Sequence, residues 1–458
     1  MKKITFLFAA LFCVQVLSAQ EQPLTVSRAI DYALKNNPGI AAAKKNAESA
    51  FYAANAAKAN YLPRVDITAL AVKLDDSVYL DLNDIRRAVI GAGIISGGNP
   101  AVLEQSIPSF EKKILDDTFV RVAATLTQPV FTGFKVSANA KIKKLEKDIS
   151  EINLQTAKNS VITSVVEDYY RVKLADKVIE IRADYQKNIE NHVANAKKLF
   201  NGEMISKANL LKAEVALAQA KKDYQKSLND KELASILLNN TLGIKTEDTE
   251  LASPMEMISG LKDADFYVSK ALNGNGSLKL LNGKKLMLKQ KHKAAIGSLL
   301  PAIAAIGEYQ ILRDDLTMLE PEWAVGITAS INIFGGGADF NNIKASKAEI
   351  EAVDAQIKSV QNLIYTGVKR LYHLCKTAKE DYEALETNKT LAEENLKLYR
   401  ASFKEGLATS LEVVDAELAL AKIKTDQAKA VFDYNAAYAG LLNICAQSEL
   451  GFAQSSGE

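Results

Sequence analysis

The phrase "LFNGEMISKANLLKAEVALAQAK" (residues 199–221) is written a second time as "SFKEGLATSLEVVDAELALAKIK" (residues 402–424). Phe200 meets Phe403, Ser206 meets Thr409, Ala213 meets Ala416 and Lys221 meets Lys424, at a constant offset of 203 residues. A period this long marks a tandem duplication, and whatever architecture one copy builds the other must build too. Carried backward, the offset sets "QPVFTGF" (128–134) on "INIFGGG" (331–337), with Phe131 on Phe334 and Gly133 on Gly336. Nearer the N-terminus it becomes 238, with Tyr61-Leu62-Pro63 on Leu299-Leu300-Pro301 and Ala33-Leu34 on Ala271-Leu272. The first copy therefore holds 35 extra residues between Lys73 and Thr118, where the second has only a short connection over 313–321.

The copies span 20–244 and 265–446, with a linker at 245–264 and a tail at 447–458. Each begins with a polar leading helix, "LTVSRAIDYALKNNP" in the first, and continues into an Ala-rich helix of about 24 residues, 38–61 or 276–299. After a strand pair comes a helix of about 66 residues, 134–199 or 337–402, near 100 Å at 1.5 Å per residue. Its apolar residues Ile142, Leu145, Ile149, Ile152, Ile162, Val166 and Tyr169 follow a three-and-four spacing. A tight turn leads into a return helix of about 38 residues, 206–243 or 409–446. The return helix and the Ala-rich helix together match the long one, so two short helices stacked end to end can line it. Rods of this kind have no globular core, and their apolar stripes need neighbours.

The strands, at about 62–74, 118–131, 300–312 and 322–334, alternate. Trp323, Val325, Ile327, Ala329, Ile331 and Ile333 interleave with Ala324, Gly326, Thr328, Ser330 and Asn332. Such a pattern serves one sheet of a soluble sandwich or the wall of an outer-membrane barrel. Four strands with no second sheet to pack on disfavour the sandwich, and four strands cannot close a barrel, which needs about eight. Open edges are not tolerated in lipid, so the chain must oligomerise. A trimer of 12 strands is the smallest symmetric solution above a tight eight-stranded dimer without a lumen.

The start "MKKITFLFAALFCVQVLSAQ" reads as a secretory signal over 1–19: Lys2 and Lys3, an apolar run from Ile4 to Val16, and Ala19 suited to cleavage before Gln20. Phe12 before Cys13 is too large for a lipoprotein cleavage site, so no lipid anchor is expected. No later run reaches about 18 apolar residues, so no transmembrane helix is expected. Net charge is +2, which argues against nucleic acid. Cys375 and Cys445 lie roughly 29 and 41 residues from the turn between their helices, a mismatch of about 18 Å in an antiparallel hairpin, so they read as small buried hydrophobes rather than a disulfide. His192, His292 and His373 have no ligand spacing, and no metal or cofactor is expected. Gly335–Gly337 resembles a phosphate loop in composition only. "EDYY" (167–170) reads as helix-packing aromatic surface. No nucleophile–base constellation points to a hydrolase. A periplasmic coiled-coil adaptor is the alternative, but it would need one hairpin rather than two, and an anchor.

The doubled "YLP" and "LLP" strand starts, the "QPVFTGF" and "INIFGGG" strand exits and above all "FKEGLATSLEVVDAELALAKIK" resemble the TolC-type outer-membrane efflux proteins over nearly the whole mature sequence. The resemblance implies a mostly α protein with a small β part. Long antiparallel helical hairpins would form a trimeric α-barrel tunnel in the periplasm of a Gram-negative bacterium, below a 12-stranded barrel in outer-membrane lipid. It implies a homotrimer with a periplasmic adaptor protein and an inner-membrane pump as partners, and no chemistry in the channel. The two turns, Phe200, Gly202, Met204 and Ser206 in one copy and Phe403, Gly406, Leu407 and Thr409 in the other, would close the tunnel and face the adaptor. Glu412 and Asp415 fall where the family places acids around the narrow end, with Asn209 and Lys212 at the matching positions of the first copy. Thr409-Ser410-Leu411-Glu412 is equally a capping box. Gly202 sits one position before the pattern, which questions the first turn's geometry. Pro63, Pro129 and Pro301 mark barrel-to-tunnel bends, beside Gly133, Phe334 and Gly336.

Overall fold

The computed structural model describes residues 24–244, 251–313 and 320–448. The expected signal segment, the start of the linker, most of the tail and the middle of the short 313–321 connection lie outside the described residues. The chain forms two compact units, one from residues 1–45, 152–279 and 359–458, the other from 46–151 and 280–358.

In chain order the elements are α1 (Val26–Asn36), α2 (Pro38–Ala59), β1 (Arg64–Lys73), β2 (Val78–Asp81), α3 (Asn83–Ile95), α4 (Pro100–Ser106), β3 (Glu111–Leu115), β4 (Thr118–Thr132), α5 (Lys135–Asn201), α6 (Lys207–Leu242), α7 (Ala264–Gly274), α8 (Gly276–Gly297), β5 (Ala302–Gln310), β6 (Trp323–Ser330), α9 (Ala338–Lys404) and α10 (Ser410–Ile444).

The first unit contains two helical hairpins, α5 with α6 and α9 with α10. Helices α5 and α9 are both 67 residues long. The ion pairs across the hairpins repeat with the sequence. Lys197 meets Glu214 at 3.4 Å and Lys221 meets Glu190 at 3.9 Å. At the offset of 203, Arg400 meets Glu417, and Lys424 meets Glu393 at 3.7 Å. The three pairs other than Arg400–Glu417, whose carboxylate is buried, are exposed and contribute about 0–1 kcal/mol each; the four together set the sliding register of the two helices.

The helix ends are joined by a repeated asparagine. The Asn37 amide donates to the Thr241 carbonyl at 2.8 Å, at the end of α6, while its oxygen accepts from Gly39 N at 2.8 Å, at the start of α2. Asn275 does the same for Ile444 O (3.0 Å) and Ser277 N (2.9 Å). One side chain thus satisfies an orphan carbonyl of one helix and an orphan amide of the next. Each return helix is thereby butted against the short helix that continues its line.

The linker is strapped to the hairpins. Tyr169 is fully buried; its hydroxyl donates to Leu24 O at 2.8 Å and accepts from Ser253 N at 2.8 Å. Asn435 accepts from Ile258 N at 2.9 Å and donates to Glu256 O at 2.8 Å. "EDYY" is therefore an anchor under the linker and not an aromatic surface. Cys375 and Cys445 are free and buried, and burial pushes both thiols up to about 12.

The second unit is built on an antiparallel sheet in the order β1-β4-β5-β6. Its two hairpins share one register: Arg64 pairs with Thr127, and Ala302, 238 residues after Arg64, pairs with Ser330, 203 after Thr127. Among the described residues the only other sheet is the β2–β3 ribbon, so no second layer covers either face. Val65, Ile67, Trp323, Val325 and Ile327 are exposed. Pro63 and Pro301 stand immediately before β1 and β5. Pro129 does not end its strand. It lies within β4, two residues beyond the last β1 pair and at the register shift against β5, where a missing N–H is tolerated.

The inserted segment 74–117 also differs from expectation. "GAGIISGGNP" suggests a flexible loop, yet Gly91–Ile95 is the last part of α3. The Arg86 guanidinium reaches from that helix to the carbonyls of Glu104 (3.0 Å) and Ile107 (2.5 Å), fastening α3 to the end of α4.

At the exit of β4, Gly133 and Phe134 both have positive φ, 58° and 64°; at the matching exit Gly336 and Gly337 have 63° and 78°. Gly133 lies so close to Gly297 that a Cβ on Gly297 would sit 1.7 Å from the Gly133 carbonyl oxygen. Around Gly336 there is open space. We predict that Gly297→Ala lowers stability by about 3 kcal/mol through backbone displacement, whereas Gly336→Ala costs about 1 kcal/mol for its dihedrals alone. Urea unfolding followed by circular dichroism checks the ranking; equal losses would contradict it.

Candidate functional site

The two hairpin tips are the candidate site. In the first, Glu203 N donates to Phe200 O at 2.9 Å and Met204 N to Leu199 O at 2.9 Å; in the second, Gly406 N donates to Phe403 O at 3.1 Å and Leu407 N to Ser402 O at 2.8 Å. Every partner is shifted by 203, and the bond pattern is a Schellman closure. The left-handed position is held by Gly406 at φ 73° and by Glu203 at φ 58°. The misplaced Gly202 therefore leaves the turn unchanged. A glutamate adopts the conformation that glycine adopts in the other copy, at a local cost.

After the turns the copies diverge. Thr409 caps α10 in a full capping box: its hydroxyl accepts from Glu412 N at 3.3 Å, and the Glu412 carboxylate accepts from Thr409 N at 2.6 Å. These bonds from the Thr409 backbone and hydroxyl hold the Glu412 carboxyl below the usual carboxylate range. Ser206 starts α6 without a side-chain cap. Asn209, at the Glu412 position, is half-buried; Lys212 on α6 and Asp415 at the matching position of α10 are both exposed and carry opposite charges.

Four residues expected to face a partner differ in their surroundings. Leu407 is 83% exposed and Met204 59%. Phe403 is 2% exposed, inside a cluster with Ile181, Tyr185, Ile189, Val193 and Ala196 of α5, Ala213 and Ala220 of α6, and Val413 and Ala421 of α10. Its ring lies 4.6 Å from that of His192. Phe403 therefore braces the turn from within; Phe200 is half-buried. The α5 stripe that receives it, at steps of four and three, is the apolar seam of an amphipathic helix.

The sequence reading also passed over a polar seam between the copies. His192 Nε2 lies 2.7 Å from Ser410 Oγ, and both residues are buried. Glu417, 2% exposed, accepts from Arg400 Nε at 2.8 Å and from Asn188 Nδ2 at 3.2 Å. Glu417 was visible as a member of the repeated phrase, but nothing local marks it as buried. His292 likewise meets a serine, Ser346, at 2.7 Å. Among the described residues no group of acids, histidines and cysteines is arranged for a metal ion, and no helix is long and apolar enough to cross a membrane.

Doubled helical hairpins in one unit and a four-stranded sheet with exposed apolar residues in the other define the class of outer-membrane channel proteins. The chain belongs to the outer membrane efflux protein family, whose sequence profile matches residues 109–244 and 288–447. Its fold is similar to that of VceC of Vibrio cholerae (TM-score 0.74, 14% identity, 92% of this chain and 96% of that one). It is also similar to the Campylobacter jejuni CmeC outer membrane channel (0.73, 13%, 94% and 89%) and to the Neisseria gonorrhoeae MtrE outer membrane channel (0.69, 17%, 92% and 89%). A search of curated proteins finds no match by sequence. The protein is an efflux channel of the outer membrane with a large periplasmic helical part, in a family of transport proteins.

Two outcomes follow at the tips. Glu203→Gly should stabilise the first hairpin by about 1 kcal/mol, and Gly406→Glu should destabilise the second by about as much, because the left-handed backbone is kept and only the steric cost of a Cβ in it changes; thermal unfolding reads both. Burial, with a smaller push from the Arg400 guanidinium, lowers the His192 pKa to about 4. The unfolded chain, with a histidine pKa of about 6.5, then binds more protons than the folded one. His192 therefore contributes its full stability above about pH 6.5 and loses it as pH falls toward about 4. His192→Gln should flatten that part of the stability–pH curve relative to the parent; an unchanged slope would contradict the assignment.

Proposed function

We propose that three copies assemble into one channel: a 12-stranded barrel in outer-membrane lipid, continued by a periplasmic tunnel of hairpins. Its tips form the aperture and meet a periplasmic adaptor protein coupled to an inner-membrane pump. The observation that carries this reading is the four-stranded sheet, open at β1 and β6, with Val65, Ile67, Trp323, Val325 and Ile327 exposed. It needs partners along both edges and lipid against its face. The exposed Leu407 and Met204 suit an apolar contact with the adaptor. Gly202, Ser206, Gly406 and Thr409 shape the turns that present them.

Asp415 and Glu412 are three residues apart on one helix and both exposed. Three copies would gather about six carboxylates, a ring that attracts cations and repels itself. Glu412 is partly occupied by its cap, so Asp415 is the freer charge. Lys212 and Asn209 of the neighbouring hairpins would face the ring and favour closure.

Mass measurement in detergent should give three chains; a stable folded monomer would remove the proposal. Asp415→Ala should raise single-channel conductance in planar bilayers by roughly twofold and weaken block by multivalent cations, with the trimer intact. Unchanged conductance and block would assign the acid to helix initiation alone.

A further inference from the structure

Helix α8 carries six lysines and no acid. Lys285 and Lys291 pair with Asp354 and Glu349 of α9. Lys289 and Lys293 are exposed, one helical turn apart, and form no ion pair among the described residues. Like charges at this spacing repel each other, and the repeat does not supply them: at the offset of 238 the first copy has Phe51 and Asn55.

The sheet shows on which side these lysines stand. Lys293 Nζ lies 4.3 Å from the centroid of the Phe134 ring, and Phe134 meets Phe131 edge to face at 5.5 Å. Phe131 pairs with Ile303 and Ile303 with Ala329, so Phe131 is on the sheet face that carries the exposed Val325 and Ile327. Lys293 therefore sits at the end of the apolar face. It precedes the last residue of α8, Gly297, by about 6 Å at 1.5 Å per residue, which matches the headgroup layer of a bilayer, about 5–7 Å per leaflet. Beside the two rings lies a crevice of about 220 Å³ lined by Asn60, Tyr61, Pro129, Val130, Phe131 and Phe134 among others. Val130, the extra residue at the register shift of β4, is exposed there.

Resting on the placement of the sheet in outer-membrane lipid, we propose that this junction is a site for an anionic phospholipid of the periplasmic leaflet. An acyl chain lies in the crevice against Tyr61, Val130 and Phe131. The phosphate meets the Lys293 ammonium, with Lys289 one turn further from the membrane. The crevice continues the apolar face that lipid covers, which selects a lipid over a free anion. Two lysines without carboxylate partners select a net-negative headgroup over a zwitterionic one. An ammonium seated on a ring face still has donors to offer a phosphate oxygen.

The backbone supplies a second observation. Phe134 is held at φ 64°, where the matching exit has Gly337 at φ 78°. A side chain in this conformation carries a steric cost that glycine avoids. What the ring provides in return is one wall of the crevice and the seat of the lysine. With Gly337 and Asn55 in the corresponding places, the other junction offers neither ring nor cation.

The test uses full-length protein extracted in detergent and titrated with dioleoylphosphatidylglycerol or dioleoylphosphatidylethanolamine, with bound lipid read by native mass spectrometry. Phosphatidylglycerol should be retained in preference to phosphatidylethanolamine. Lys293→Ala should lower its retention about fivefold, and Lys293→Arg should preserve it. Phe134→Gly, which removes the ring while relieving the backbone, should lower it as well. Lys284→Ala removes the same charge from an exposed position on the opposite side of α8 and should leave retention unchanged. Equal retention of the two lipids, equal losses in Lys284→Ala and Lys293→Ala, or displacement of the lipid by inorganic phosphate overturns the site and leaves the channel reading standing. Release of the protein from outer-membrane fractions by alkaline carbonate without detergent removes the lipid-embedded sheet itself.

Discussion

A backbone N–H or C=O that faces hydrocarbon has no water to bond, and each one left unpaired costs several kcal/mol. That constraint governs this molecule. The sheet satisfies its interior ladders and leaves β1 and β6 open on their outer edges. Its side chains give no relief through a second layer, since the exposed Val325 and Ile327 have none to pack on. These two outer edges are where the proposed assembly has to supply its pairing.

The helical half answers a different constraint by the same duplication. A helix of 67 residues satisfies its own backbone but carries an apolar stripe for its whole length. The return helices cover part of that stripe, and ion pairs at matched positions hold them in register. The repeated asparagines 37 and 275 then close the ends, where a helix would otherwise expose four donors or four acceptors.

The copies keep backbone geometry more faithfully than side chains. Glu203 stands where the other copy has Gly406, Phe134 where it has Gly337, and Ala446 where the first has Gly243, all with positive φ. The tip chemistry has diverged further. One copy has a capping box and a buried phenylalanine; the other has an uncapped serine and a half-buried one. The two tips thus share a turn and one apolar cluster while differing in their caps.

The residues alone determined the duplication and a mostly helical fold with a small part of four strands in one sheet. These follow from periodicity and from local signals: prolines before strands, the Thr409–Glu412 box, the glycines at the strand exits. The open sheet was legible for the same reason, since alternation is a local property. Tertiary structure decided the rest. It buried Phe403 and turned "EDYY" into an anchor by laying a linker over Tyr169. It folded the inserted segment through Arg86, and paired His192 with Ser410, 218 residues away. No period or propensity encodes such contacts, because they depend on which face of one helix meets which end of another, and that is settled only when the whole set of rods has packed.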